Sequence, residues 1–394
     1  LDNLVYYPVA KAGASYTIPD GVKGVGSINV GGTTTSTVAA FTKNANLQSI
    51  TVPASVQSIG SFAFANSAKL KYVKFEPTKE GETAKDLTFG DYVFYTCKLL
   101  EGSEAGKPFV IPARTAVGGI GPRLFDSCEK LTKVEFESGT RIEEIPARTF
   151  YNTALTEFTI PKSVTVIGEY AFYGNEDLND LKLEAGGAIT SIASNAFYGV
   201  GAISPDVVSD IIKNATVGNS IFSRAKISGV VTIPNGVSTI GSTMFQNNAA
   251  ITKVILPDTV TAIGDNAFQG CTSLKEVVMS KNITSIGRYA FAKTAISTIE
   301  LPNSLNTLDY YAFSESSIEE VNVPASVTSF GTNMFNKCAS LKRATINCSV
   351  VNNNTFFGCL NLAEVELSEG VQRIGDTAFS GCSALKEITI PSTV

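Results

Sequence analysis

The sequence predicts a repeat solenoid, mostly β-strand and irregular structure with little helix, whose coils line one face with a parallel β-sheet. Phenylalanine recurs in one local context at intervals of 21 to 31 residues, which indicates a repeat array. The chain is also 44% apolar, sufficient for a core shared between neighbouring coils. The fifteen anchor positions are Phe41, Phe64, Phe94, Phe125, Phe150, Phe172, Phe197, Phe222, Phe245, Phe268, Phe291, Phe313, Phe335, Phe356 and Phe379.

Each repeat has the same order of residues around its anchor. The consensus is I-G-x-x-A-F-x-x-C/N-x-x-L-x-x-V-x-I-P, as in Ile374–Pro391. The V-x-I alternation places two apolar side chains on one face of a short strand, and the proline after it ends the strand. We interpret the I-G segment as a return path in which glycine permits a turn that other residues adopt poorly. The Ala-Phe pair is expected to fill the centre of the coil.

This consensus resembles the BspA-type, or Treponema pallidum-type, leucine-rich repeat of bacteria. The motifs that carry the resemblance are specific, for example I-G-E-Y-A-F at Ile167–Phe172 and I-G-D-N-A-F-Q-G-C at Ile263–Cys271, and they recur from Tyr16 to Val394. The resemblance implies a right-handed leucine-rich-repeat coil. Members of the family are typically secreted or attached to the bacterial surface, and some bind host matrix proteins or mediate adhesion. The resemblance therefore implies a binding role, although a repeat specifies the scaffold and not the ligand.

We expect residues 1–394 to form a single solenoid with irregular stretches near residues 26–40, 76–110 and 201–217. The first contains Gly31–Thr37. The second contains two polar, glycine-containing insertions, Glu76–Leu87 and Glu101–Pro108, which predict surface loops. These loops are either tolerated insertions or the decoration of a binding face.

The stretch at 201–217 departs from the strand pattern. Apolar residues at Val207, Val208, Ile211 and Ile212 have the spacing of one helix face. The sequence therefore predicts a short helix in place of a strand.

The chain contains no histidine. Histidine is the usual general base near neutral pH and the commonest metal ligand. Catalytic triads, Cys-His pairs and histidine-ligated zinc sites are therefore excluded, and phosphate-binding and EF-hand loops are absent. We expect a protein that is not an enzyme and that carries no cofactor or metal. A carboxylate-dependent hydrolase is the one catalytic alternative, because the composition allows a pair of carboxylates.

Charge and hydropathy restrict the partners further. The net charge is −5 with no basic patch, so nucleic acid is not an expected partner. No apolar stretch reaches the roughly 18 residues that span a bilayer. The chain begins at Leu1 without a signal or anchor segment and ends inside a repeat at Val394. We therefore expect a monomeric piece of a longer protein that is secreted or held at the cell surface.

Six of the seven cysteines occupy one repeat position, three residues after the anchor, where other units have asparagine. We interpret this position as one whose side chain hydrogen-bonds backbone in the turn. No CxxC pair exists, and adjacent in-register strands rarely have disulfide geometry. We therefore expect seven free thiols, although three cysteines in successive coils leave a disulfide open. The six are Cys97, Cys128, Cys271, Cys338, Cys359 and Cys382.

The outward positions of the last strands carry charges that we expect to align between coils. The register predicts that Glu320, Arg343 and Glu364 are cross-strand neighbours, and that Glu319 and Lys342 are neighbours as well. One interpretation is a solvated charge ladder that supports the register. The other is a mixed-charge surface that binds protein, for which these five are the candidate residues.

Tyrosines near the turn form a second candidate surface, with Tyr289 and Tyr311 as its candidate binding residues. They can simply cover the edge of the core, or they can contact a sugar ring or a protein side chain. The sequence therefore predicts an adhesin-like module that binds a host matrix protein or bacterial surface protein, with glycan binding as the alternative. Related positions hold Phe62, Tyr92, Tyr95, Tyr151, Tyr170, Tyr173 and Tyr198.

Overall fold

The computed structural model describes residues 3–4, 13–26 and 40–394. Gly31–Thr37, within the first irregular stretch predicted from the sequence, lies outside these residues. The chain is a β-solenoid of about fifteen turns with parallel sheets, and its described residues contain one helix, so the predicted fold class is confirmed. It divides into two compact units, Leu1–Ala202 and Ile203–Val394, which are described separately below. The single continuous solenoid remains a prediction.

The described residues of the first unit form fifteen short strands. They are β1 (Asn3–Leu4), β2 (Ser15–Thr17), β3 (Gly24–Val25), β4 (Ser49–Val52), β5 (Ser58–Ile59), β6 (Tyr72–Phe75), β7 (Leu87–Phe89), β8 (Phe109–Ile111), β9 (Thr115–Ile120), β10 (Val134–Phe136), β11 (Glu144–Ile145), β12 (Glu157–Ile160), β13 (Val166–Ile167), β14 (Asp180–Leu183) and β15 (Ser191–Ile192).

The second unit begins with the helix and continues in strands. Its elements are α1 (Pro205–Ile212), β16 (Thr216–Val217), β17 (Gly229–Thr232), β18 (Thr239–Ile240), β19 (Ile251–Ile255), β20 (Ala262–Ile263), β21 (Glu276–Val278), β22 (Ser285–Ile286), β23 (Thr307–Leu308), β24 (Glu320–Val323), β25 (Ser329–Phe330), β26 (Arg343–Ile346), β27 (Val350–Val351), β28 (Glu364–Leu367) and β29 (Arg373–Ile374).

Most coils contribute two strands, and each kind of strand forms its own parallel ladder. The V-x-I segments pair as β2-β4-β6, β8-β10 and β12-β14 in the first unit, and as β17-β19-β21 and β24-β26-β28 in the second. The I-G segments pair as β1-β3-β5-β7-β9 and β11-β13-β15, and as β18-β20-β22-β23-β25 and β27-β29. The second ladder is a finding of the structure, because the sequence indicated only a return path there.

The anchor phenylalanines stack ring upon ring through each unit. Ring centroids from Phe41 to Phe197 are separated by 5.0 to 5.7 Å. From Phe222 to Phe379 the separations are 5.3 to 5.9 Å. All are buried except Phe379, which is partly exposed. The predicted placement of the anchors at the centre of the coil is confirmed, and near-parallel stacking adds to the burial of each ring.

The turn that presents each anchor has an unusual backbone. Around Phe268, the residues two before and two after it, Asn266 and Gly270, have left-handed φ values of 56° and 72°. Because the backbone conformation alternates along the turn, the N–H group of every second residue is directed at the next coil. Phe268 N–H donates to the Ala290 carbonyl at 2.8 Å, and Gly270 N–H donates to the Ala292 carbonyl at 2.9 Å. The turns therefore form a third hydrogen-bonded connection between coils, which satisfies buried backbone donors.

The glycine of the I-G motif has a different role from the one predicted. None of these glycines has a left-handed φ, so the expectation of a turn restricted to glycine is wrong. At five of the seven, the reason for glycine is the close approach of the previous coil, whereas a Cβ at Gly241 would meet only the Gly218 carbonyl oxygen at 3.3 Å. A Cβ at Gly168 would lie 2.4 Å from the Ala147 nitrogen, and one at Gly331 would lie 2.4 Å from the Tyr310 nitrogen. The glycines concerned are Gly60, Gly168, Gly241, Gly264, Gly287, Gly331 and Gly375.

The helix predicted within 201–217 is confirmed as α1. Its N-cap is Ser204, whose hydroxyl accepts a hydrogen bond from the Val207 backbone N–H at 3.4 Å. Val208, Ile211 and Ile212 are buried, as the helical spacing predicted, whereas Val207 is half-buried. The helix packs against β17 at the place in the coil where other repeats have a strand.

The two insertions are loops with shifted boundaries. The first is irregular and mostly exposed from Glu76 to Asp86, and Leu87 is the buried first residue of β7. In the second, Gly102 still pairs with Tyr72, so the exposed turn comes only after it. The first insertion therefore lengthens the return path and the second lengthens the connection from the turn to β8, and neither interrupts the anchor stack.

We expect Phe268→Ala to lower the free energy of unfolding by about 3–5 kcal/mol, the usual cost of an aromatic cavity. Phe268 is fully buried between two stacked rings. Urea denaturation followed by circular dichroism measures the change. Phe379→Ala is the matched control with a smaller expected loss. A loss below about 1 kcal/mol for Phe268→Ala would contradict the role of the stack.

Gly331→Ala is expected to cost about 1–3 kcal/mol, because its methyl group would overlap the backbone of the previous coil. Gly241→Ala at the same repeat position is the control, since its Cβ would meet only the Gly218 carbonyl oxygen at 3.3 Å. Thermal unfolding of both variants tests the prediction. Equal stability of the two variants would show that coil approach does not select glycine.

Candidate functional site

Five of the predicted binding residues form a charged face on the last strands of the second unit. Glu320, Arg343 and Glu364 are in register on β24, β26 and β28, as predicted. Arg343 Nε lies 2.8 Å from Glu364 Oε2, and Arg343 Nη1 lies 3.9 Å from Glu320 Oε1. Lys342 Nζ lies 2.7 Å from Glu319 Oε2, which confirms the second predicted neighbour pair. We call these five residues the charged strand face.

The charged strand face is open to solvent. Its side chains are 48% to 66% exposed. The hydrogen bond that Lys342 donates to Glu319 raises the pKa of Lys342, and the one that Arg343 donates to Glu364 raises the pKa of Arg343, so both cations remain charged near neutral pH. Exposed pairs of this kind are screened by salt and contribute little to stability. Their side chains are therefore available to a partner.

A groove of about 890 Å³ adjoins this face. It lies where the V-x-I ladder is interrupted: in the described part of the chain, no backbone pairing joins β21 to the following segment Ser297–Leu301. That segment is linked to β24 through one residue pair, Thr298 with Glu320. We call this the second-unit groove. Its outward lining includes Glu276, Val278, Thr298, Glu300, Glu320, Asn322 and Arg343.

The first unit has a comparable groove of about 780 Å³. It lies between β10 and β12, for which the described residues contain a single isolated backbone bridge, Lys133 with Glu157. Lys133 Nζ crosses the interruption, at 2.8 Å from Glu135 Oε1 and 2.5 Å from Glu157 Oε1. Hydrogen bonds to these two carboxylates raise the pKa of Lys133. We call this the first-unit groove.

The other two predicted binding residues lie in the turns and not on the strands. The rings of Tyr289 and Tyr311 stack with centroids 4.8 Å apart and planes inclined by 7°. Both side chains are half-buried. Each ring therefore covers one face of the other, and edges and hydroxyl groups are the parts most available to a ligand. The seven candidate residues thus belong to two different segments of the repeat.

A longer aromatic surface occurs in the first unit. Tyr151, Tyr173 and Tyr198 stack at 4.9 and 4.7 Å. Arg148 lies over the Tyr151 ring at 3.8 Å, and its Nε bonds Asp126 Oδ2 at 3.0 Å. The Asp126 side chain is 1% exposed. The sequence analysis did not predict this ion pair. Its signal was the opposite charges of Arg148, two residues before the anchor Phe150, and Asp126, one residue after the anchor Phe125.

The six aligned cysteines hydrogen-bond backbone as predicted. Cys97 Sγ donates to the Phe64 carbonyl at 3.1 Å, and Cys359 Sγ donates to the Phe335 carbonyl at 3.1 Å. Asn175 Nδ2 donates to the Phe150 carbonyl at 2.6 Å from the same position. All seven cysteines are buried and free. Burial raises the pKa of Cys97 and of Cys271 to about 12, so the thiols stay protonated at neutral pH.

The described residues contain neither a cluster of metal-ligating side chains nor a membrane-spanning helix. Across residues 3–4, 13–26 and 40–394, no group of three or more acidic or cysteine side chains is arranged to hold a metal ion. The one helix, α1, has eight residues, and no helix in this part of the chain is long and apolar enough to cross a membrane.

The repeat pattern also identifies the family. The profile of the BspA type leucine rich repeat region matches in six copies, over residues 34–102, 87–227, 207–319 and 349–394. The chain belongs to this family. No curated protein sequence matches it. BspA-type repeats and the leucine-rich-repeat fold indicate a protein-interaction module.

Solved structures of bacterial leucine-rich-repeat proteins are similar to the chain. One from Bacteroides ovatus has 21% identity and a TM-score of 0.40, over 96% of this chain and 75% of that one. The Treponema pallidum leucine-rich-repeat protein has 29% identity and a TM-score of 0.38, over 40% of this chain and 78% of that one. A leucine-rich cell surface protein of Faecalibacterium prausnitzii has 20% identity and a TM-score of 0.45, over 93% and 90%.

The thiols provide a test of the buried turn. We expect a thiol reagent such as DTNB to react slowly with the native protein at pH 8, because the raised pKa values keep the buried sulfurs protonated. In denaturant without reductant, all seven thiols should react. Finding five or fewer thiols after unfolding would contradict the free-cysteine assignment.

Proposed function

We propose that this chain is a non-catalytic, adhesin-like module that binds a protein ligand on a secreted or cell-surface protein. The observation that carries the proposal is the charged strand face. It presents Glu319, Lys342 and Arg343 in register, exposed and with both signs of charge, beside a groove. Interface rims are polar and charged in this way, and complementary charges fix register and speed association.

Family membership supports the proposed role and location. The repeats are typical of interaction modules without catalytic activity. The similar protein of Faecalibacterium prausnitzii is described as a cell surface protein. We include in the proposal that residues 1–394 fold as one monomeric solenoid, and that a host matrix protein or a bacterial surface protein is the ligand class.

Glycan binding through Tyr289 and Tyr311 is the second candidate, because these aromatic side chains lie half-exposed in register. The stacked geometry fits it less well. A sugar ring packs against the face of an aromatic ring, and each of these rings already covers one face of the other. The protein ligand is therefore the better supported class.

An array of matrix proteins, bacterial surface proteins and glycans, probed with the purified chain, tests the proposal. We expect a protein ligand whose binding weakens at least about tenfold in the double reversal Lys342→Glu/Arg343→Glu and at raised salt. The matched control is Lys293→Glu/Lys337→Glu, which changes the charge equally at two exposed turn positions.

Equal binding by the two double variants would contradict a role for the charged strand face. Binding that is insensitive to salt, but that is lost in Tyr289→Ala/Tyr311→Ala, would assign the glycan-binding alternative instead.

A further inference from the structure

The two grooves occupy the same place in the repeat. In each repeat, a core leucine or isoleucine follows the anchor. Both grooves lie where a coil in which this residue comes six positions after the anchor is followed by one in which it comes five positions after. The anchors of these coils are Phe125 and Phe150 in the first unit, and Phe268 and Phe291 in the second. In the shorter coil, one residue fewer connects the buried turn to the strand. The anchors still stack, at 5.7 and 5.3 Å, so the mismatch appears on the strand side as an incompletely paired ladder.

The first-unit groove shows what such an interruption holds. Lys133 Nζ sits between the carboxylates of Glu135 on its own coil and Glu157 on the next coil. Its ammonium group thus links two strands that have only one backbone pairing. A cation between carboxylates is the arrangement that compensates their mutual repulsion.

In the second-unit groove, the lysine is replaced by a carboxylate. Aligned on the anchors, Glu276 stands where the first unit has Lys133, and Glu300 stands where it has Thr159. By strand register, Glu320 stands where the first unit has Asp180. Three carboxylates thus surround this interruption, and among the described residues no lysine crosses it as Lys133 does in the first unit.

The cations near the second-unit groove each have a carboxylate partner; Lys281, which lines the groove, lies 2.8 Å from Asp258. Lys253 Nζ lies 2.7 Å from Glu276 on the upstream side, and Arg343 bonds Glu364 at 2.8 Å while remaining 3.9 Å from Glu320. Glu300 is exposed and has no ion-pair partner within the described residues. Glu276 is thus paired, whereas Glu300 has no cation among the described residues and Glu320 shares Arg343 with Glu364, so negative charge exceeds positive charge where the first-unit groove holds an ammonium group.

We infer that the second-unit groove binds a lysine or arginine side chain from an extended, basic segment of a partner protein. This inference rests on the proposed protein-binding function and names its partner chemistry. The open edge of β21 offers backbone groups to an extended chain. Beside that edge, Val278 is 41% exposed and in register with Ile255, so an apolar contact is available next to the carboxylates.

Titration calorimetry of the full chain with two synthetic peptides tests the inference. The probe is a 12-residue peptide of alternating lysine and threonine, and its twin has glutamate in place of lysine. We expect the lysine peptide to bind, more weakly at raised salt, and the glutamate peptide not to bind. Glu300→Gln/Glu320→Gln should weaken binding about tenfold, whereas Glu366→Gln should change it less than about twofold.

Glu366 is a matched control because it is an exposed, outward residue of the same sheet face and lies outside the groove. A further variant, Glu276→Lys, places a lysine where the first unit has one, and it should abolish peptide binding. Circular dichroism checks that each variant is folded.

Two outcomes overturn the inference: no binding of the lysine peptide to the wild-type chain, or equal binding by the Glu300→Gln/Glu320→Gln and Glu366→Gln variants. Neither outcome bears on the array experiment, which tests the charged strand face separately. Conversely, peptide binding that depends on Glu300 and Glu320, together with an array that yields no protein ligand, supports the groove and contradicts the proposed ligand class.

Discussion

The stacking of one phenylalanine ring per coil is the constraint on which the rest of each unit depends. Rings separated by 5.0 to 5.9 Å set the distance between coils, and every other part of the repeat accommodates that distance. The backbone on either side of the ring takes left-handed conformations so that its N–H groups reach the next coil. Glycine occurs where the return segments would otherwise overlap, as at Gly168 and Gly331.

The same constraint explains the polar residues of the core. Stacked turns leave the anchor carbonyls buried, and in most coils a side chain three residues after the next anchor donates a hydrogen bond to that carbonyl. Cysteine, asparagine and serine all occur there, because the position needs a small donor and not one particular chemistry; Cys97, Asn175 and Ser67 are examples. A cysteine count taken without this register would suggest metal or redox chemistry.

Much of the fold could be predicted from the sequence because the repeat register is a local pattern. It located all fifteen anchors, the helix at Pro205–Ile212, and the alignment of Arg343 with Glu320 and Glu364. The role of the I-G glycine could not be predicted, since it depends on how closely two coils approach. The second ladder could not be predicted for a different reason. Its strands have about two residues per coil, which is too few to show the period of a strand.

The candidate site could be predicted only in part from the sequence. The sequence gives the charges and their order, but the grooves depend on a length difference between neighbouring coils that changes no residue type. The shorter coils were visible as a shift of one residue after Phe150 and Phe291. What such a shift does to backbone pairing becomes apparent only when the anchors are held in their stack.

The carbonyl-to-side-chain bonds between coils also bear on how such a chain can change in length. Most coils supply a side-chain donor to the coil before and an anchor carbonyl as acceptor to the coil after, as with Cys359 on Phe335 and Cys382 on Phe356. Removing a whole coil brings together two surfaces of the same kind, and the pairing is restored. Removing part of a coil leaves an orphaned acceptor beside an aromatic ring. Gain or loss of complete repeats is therefore the route by which the array can vary while its interior stays the same.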